Sequence, residues 1–149
     1  MADTLESICA RCSNLSSPRL DFIPESLNRE RRIIVRDLRE LVSAARMNHE
    51  KTVVILAGSV FESLLYVFLQ RPGPFTFRRE QSLGEFAAIF GKYFRDVATI
   101  PDFVVEYRNL IHINRELGYP EISDICRHAA PDMLRQLNLF IGRLALSAK

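Results

Sequence analysis

A chain of 149 residues is about one domain long, enough to bury a core without disulfides or metals to hold it together. Its 48% hydrophobic and 26% charged residues are the balance of a soluble globular protein and exclude extended disorder, while a net charge of +2 selects no partner by itself. Cys9, Cys12 and Cys126 are odd in number, and the start MADTLESICARC has neither the basic stretch nor the apolar run of a signal peptide, so a reducing cytoplasm is the expected setting.

Apolar residues recur at helical spacing throughout and no alternating strand pattern survives, which predicts an all-α, antiparallel helical bundle forming one domain over 1–149. A first helix is expected over about 3–13, stopped by Ser16-Ser17-Pro18, with 1–23 forming an N-terminal helix and linker. Within it, Cys9-Ala-Arg-Cys12 has the spacing of half a zinc knuckle or of a redox pair, but no second pair follows, so no metal is expected.

Pro24 opens a second helix running to about Met47. Leu27, Ile34, Val35, Leu38, Leu41, Val42 and Ala45 form its apolar stripe, and Arg29, Arg32, Arg36, Arg39 and Arg46 lie on the opposite side within about 100° of one another. Of the 20 basic residues 17 are arginine, whose planar fork holds phosphate in a way that lysine cannot. Such a row suits a phosphate backbone, and RNA is often bound through shape and phosphate. The competing expectation is a solvated face with i, i+4 ion pairs, Glu25 with Arg29 and Arg36 with Glu40.

The third helix, roughly 50–70, contains TVVILAGSVFESLLYVFL, apolar over nearly its whole circumference. Its length is at the short end of what a bilayer span needs and Glu62 near its centre would be costly in lipid, so a buried central helix is expected and no membrane partner. Ser59, Glu62 and Tyr66 fall on one narrow strip with Gly58, which directs Glu62 toward another helix or a cleft. Arg71-Pro72-Gly73-Pro74 ends the helix, and in the following loop Phe75 and Phe77 beside Arg78 and Arg79 either stack bases or pack into the core. Ser82 caps a fourth helix reaching about Tyr93.

Pro101 and Asp102 start a fifth helix containing YRNLIH and ending near Gly118-Tyr119-Pro120. Phe103, Tyr107, Leu110, Asn114 and Leu117 cluster on one side as its expected core face, with Val104 and Ile111 beside them. Arg108, His112, Arg115 and Glu116 are expected on the other side, with Val105 among them. Arg108 and His112 are i, i+4 neighbours, so a fixed positive charge and a group that exchanges a proton near neutral pH share one face. A last helical segment runs from Glu121 to the C-terminus on both sides of Pro131, with Met133, Leu134, Leu137, Phe140, Ile141 and Leu144 on one stripe.

GSVFESLLYVFL followed by YRNLIHINRELG resembles the HEPN superfamily of small helical proteins found in prokaryotic toxin, defence and RNA-processing systems, over roughly residues 27–146. The resemblance implies a metal-independent endoribonuclease without cofactor, with Arg108, Asn109 and His112 catalytic and Glu62 supporting Arg108 from the central helix. It also implies a homodimer bringing two motifs together, RNA as substrate, and a cognate antitoxin or other protein partner. The alternative is a catalytically silent module that binds RNA or protein, with Arg29, Arg32, Arg36, Arg39, Arg46 and Arg115 as the RNA contacts. Three residues separate Arg108 from His112, where the family leaves four to six. The two side chains therefore diverge by about 40° instead of about 140°.

Overall fold

The most apolar helix of the chain takes the centre. The computed structural model describes residues 3–110 and 122–148, and every regular element among them is helical. In chain order these are α1 (Leu5–Ala10), α2 (Ser13–Ser16), a 3-10 turn at Glu25–Leu27, α3 (Asn28–Arg46), α4 (Glu50–Phe68), α5 (Leu83–Tyr93), α6 (Asp102–Leu110) and α7 (Ile122–Ser147). The all-α class is as expected, and α7 runs through Pro131 as one helix.

Helix α4 packs most extensively against α3 and α7 and also touches α5 and α6. Among the described residues it is the one helix long and apolar enough to cross a bilayer, but Val53, Val54, Ala57, Val60, Phe61, Leu64, Leu65 and Phe68 are all buried against its neighbours. An apolar circumference needs cover, and the surrounding helices supply it over most of the apolar residues, with Ile55 left exposed. Aromatic rings extend this core: Phe61 meets Phe140 at 5.4 Å, Phe90 meets Phe140 at 5.5 Å and Phe68 meets Phe90 at 5.3 Å between centroids. Of the two roles open to the loop phenylalanines, packing prevails. Phe77 stands edge-on to Tyr66 and Phe86, and Phe75 to Phe94.

The turn from α3 to α4 is made by Met47, Asn48 and His49. Asn48 adopts the left-handed conformation at φ 55°, and the amides of Asn48 and His49 donate to Ala45 and Ala44 carbonyls at 3.1 and 2.9 Å. This pattern satisfies carbonyls that the helix end leaves open, with asparagine in the place glycine usually takes. The Asn48 side chain then accepts a hydrogen bond at 3.3 Å from the amide of Leu5, a first-turn donor of α1 that no helical carbonyl can reach.

That tie belongs to a larger difference from expectation. The predicted helix over 3–13 is two short helices, α1 and α2, broken at Arg11-Cys12. The segment expected as a helix and linker contributes Leu5, Ile8, Cys9, Cys12, Leu15, Leu20 and Ile23 to the same buried cluster as α4. The reason is that α1 and α2 lie across α3 and α7, where Asn14 donates from its backbone amide to Asn138 Oδ1 at 3.0 Å and from Nδ2 to the Asn138 carbonyl at 2.9 Å. Burial pushes the Cys9 and Cys12 thiols above their ordinary value. Both stay protonated, the opposite of what thiolate chemistry at a redox pair requires.

Asn138→Ala removes the acceptor of the Asn14 amide and should destabilise the fold by about 1–2 kcal/mol. Urea denaturation measures this, and limited proteolysis should show the first 23 residues released earlier than in the wild type. An unchanged midpoint with unchanged proteolysis would show that the Asn14–Asn138 pair does not hold the N-terminal helices.

Candidate functional site

Helix α6 approaches α4 at a glycine. A Cβ added at Gly58 would collide with Cδ of Arg108 and lie 2.9 Å from its Cγ and 3.2 Å from its Cβ. The aliphatic stem of Arg108 therefore fills the notch that the missing side chain leaves on α4. Val104, one turn earlier, is completely buried, and Val105 faces α5, where a Cβ on Gly84 would touch its Cγ1 at 3.4 Å. Phe103 and Tyr107 are half-buried, with their rings 5.4 Å apart, and pack at the edge of the core.

The inward side of α6 thus runs through Val104 and Arg108, and this corrects the expected orientation. The periodicity placed Tyr107 and Phe103 at the centre of the core face because they are large and apolar. The notch at Gly58 selects instead a side chain with a slim aliphatic stem. Arg108 is half-buried and its Nε lies out of contact with solvent. Asn109, next in sequence, is exposed. His112 and Arg115, together with Asn114, Leu117 and the Gly118-Tyr119-Pro120 stop, lie outside the described residues.

Glu62 stands one turn beyond Gly58 on α4 and is half-buried, so it shares the neighbourhood of Arg108 as expected. The stem of Arg108 is seated in the glycine notch.

The second candidate surface lies on α3. Ile34, Leu38, Leu41 and Ala45 are fully buried as the stripe predicts, and Arg29, Arg32, Arg36, Arg39 and Arg46 are all exposed on the other side. From Arg29 to Arg46 the row is about 25 Å long at 1.5 Å per residue. Neither expected i, i+4 pair forms. Arg36 instead turns to its neighbour Asp37, donating from Nε at 2.9 Å and from Nη2 at 2.7 Å to the same carboxylate oxygen, Oδ1. That contact raises the pKa of Arg36 above its ordinary value.

Asp37 explains the choice. It is the buried charged residue of the described core, with only 7% of its side chain exposed. A buried carboxylate without a counter-charge is far more costly than an exposed one, so Arg36 serves Asp37 rather than the exposed Glu40. Sequence reading passed over Asp37, although a signal was there: it stands three residues after Ile34 and four before Leu41, inside the apolar stripe.

Arg29, Arg32, Arg39 and Arg46 make no ion pair among the described residues. Beside the ridge runs a shallow groove of about 590 Å³ lined by Val35, by Arg31, Arg32, Arg36 and Arg39, and by the one acid Glu40. Arg31 reaches Asp21 at 3.9 Å, a long contact between two exposed groups. A second hollow of about 310 Å³ continues the groove past the shared Arg39 to Val42, Ser43 and Arg46. Among the described residues no cluster of three or more His, Cys, Asp or Glu has the arrangement of a metal site.

Gly58→Ala should lower stability by about 1–3 kcal/mol through overpacking against Arg108. In an Arg108→Ala background the same change should become neutral or stabilising by up to about 1 kcal/mol, because alanine is the better helix former once the obstruction is gone. Thermal melts of the two single variants and the double variant read this, and simply additive losses would show that the stem does not rest on Gly58.

Comparison of the chain with protein-family models, with curated proteins and with solved structures finds no match in any of the three. The geometry of its own residues is what bears on its chemistry.

Proposed function

We propose that this protein is a small helical RNA-binding module of HEPN-like type, whose α3 ridge follows a phosphate backbone. One observation carries the reading: four exposed arginines on one side of a helix, Arg29, Arg32, Arg39 and Arg46, have no carboxylate partner among the described residues, and a fifth, Arg36, stands between them. A solvated helix face normally sets acids against such bases at i, i+4, and here the two pairs the sequence offers are not made. Arginines with unused donors in a row are suited to a polyanion, each able to hold one phosphate through two parallel hydrogen bonds. The ridge carries no aromatic residue, so it holds backbone and selects no sequence.

Binding through the ridge should be steeply salt-dependent. With about four phosphates engaged on a single strand, log K should fall with log salt at a slope of about −3, and each of Arg32→Gln and Arg39→Gln should reduce that slope by about 0.7. Fluorescence anisotropy with labelled single-stranded RNA at several salt concentrations measures both. The reading fails if the Arg32→Gln/Arg36→Gln/Arg39→Gln variant, correctly folded, binds as the wild type does, or if the wild type does not bind.

A second reading makes the module a metal-independent endoribonuclease, acting as a toxin or defence effector in the cytoplasm. Its support is the clamp on Arg108, which holds a cation in place beside exposed Asn109. In this reading the ribose 2′-hydroxyl attacks the adjacent phosphate, breaking the bond to the 5′-oxygen of the next nucleotide. His112 removes the proton or delivers one to the leaving oxygen, Arg108 stabilises charge on the phosphoryl oxygens, and Asn109 orients the substrate. A homodimer with two such motifs about a two-fold axis, and a cognate antitoxin as protein partner, belong to it. Purified protein with chelator present should then cleave RNA to 2′,3′-cyclic phosphate ends, and His112→Ala should abolish cleavage while leaving ridge binding intact. RNA left whole would confine the protein to binding.

A further inference from the structure

Near the N-terminal end of α3 lies a pocket of different character. It measures about 420 Å³ and is walled by Phe22, Leu27, Val67 and Pro72, with Arg71 at its edge. Leu27 lines this pocket and Asn28, the next residue, lines the ridge groove, so the two spaces are lined by consecutive residues at the start of α3. Arg71 is held from two sides. Its Nε donates to the Phe68 carbonyl at 3.0 Å, at the C-terminal end of α4, and its guanidinium lies 3.5 Å from the centroid of the Phe68 ring. Arg71 makes no ion pair among the described residues. A fixed cation with free donors beside apolar walls is the recognition pattern for a flat ring whose edge carries acceptors.

We infer that this pocket takes one unstacked nucleobase of the strand whose phosphates lie along the ridge, with Arg71 donating to the base edge and Phe22, Leu27 and Pro72 covering its face. The inference rests on the RNA-binding reading and adds a base-specific subsite to a surface that otherwise selects none. Arginine has donors only, so it favours the edge that presents two acceptors, O6 and N7 of guanine, over the adenine edge, where a donor stands beside N7. A base is small enough to enter, and the ridge supplies the phosphate contacts that bring it there.

The test uses the full chain and eight-nucleotide RNAs: oligoadenylate, a series with one guanine at each position, and the same series with an abasic site in place of the guanine. Fluorescence anisotropy at several salt concentrations reads affinity and salt slope. One position in the guanine series should bind about tenfold tighter than oligoadenylate, the discrimination expected of one good arginine–guanine contact. Arg71→Gln, and independently Ser26→Trp, which fills the pocket from an exposed position on its rim, should abolish that gain and leave the salt slope unchanged. The ridge variant Arg32→Gln/Arg36→Gln/Arg39→Gln should instead weaken all strands alike and flatten the slope. Equal affinity for every strand, or a guanine gain that survives both pocket variants, overturns the subsite while the ridge reading stands. Failure of any strand to bind the wild type overturns both.

Discussion

The architecture depends on the burial of α4. Its 19 residues are apolar on nearly every side, and in water such a helix is stable only when other elements cover it all round. Helices α3 and α7 take the two largest shares, α5 and α6 smaller ones, and rings from α4, α5 and α7 pack between them. The positions of both candidate surfaces follow. A helix packed on α4 by one stripe presents its opposite face to solvent, and this is how the arginines of α3 come to form a ridge. Where α4 lacks a side chain, at Gly58, the neighbouring helix sends in Arg108.

Charge in this protein is sorted by dielectric environment. Asp37 lies inside the α3 stripe, where an uncompensated carboxylate is costly, and it draws Arg36 away from the exposed pairing available at Glu40. On the surface an ion pair is worth little, and ordering two long side chains can consume all of it. The other ridge arginines are accordingly left with their donors unused by the described acids, which is the condition for binding an external anion. One buried carboxylate thus anchors the ridge at its middle. Arg71 has a comparable history at the end of α4: a helix-end carbonyl and the Phe68 ring hold it, and no acid among the described residues does.

The N-terminal region illustrates how neutral polar groups act at a distance in sequence. Asn48 closes the α3–α4 turn in a conformation few residues adopt, and its side chain also receives the Leu5 amide. Asn14 donates two hydrogen bonds to Asn138 across 124 residues. These contacts set α1 and α2 on the bundle and complete the core around Cys9, Cys12 and Leu15. The first 23 residues are a working part of the fold, although their sequence has the look of a linker.

By itself the sequence determined the helical class, the central place of α4, the two faces of α3 and the capping of α5 by Ser82, where the predicted cap forms a reciprocal box with Glu85. All of these are properties of one helix or one turn, set by the 3.6-residue period and by local hydrogen bonding, and they hold whichever neighbours arrive. Tertiary structure alone decided which side of α6 faces inward, which acid Arg36 serves and whether the N-terminus joins the core. Each of those is a choice between partners far apart in sequence, governed by shape and desolvation. Periodicity counts Tyr107 as more hydrophobic than Arg108, and no count along α6 reveals that Gly58, fifty residues earlier, leaves a notch that only the arginine stem fills.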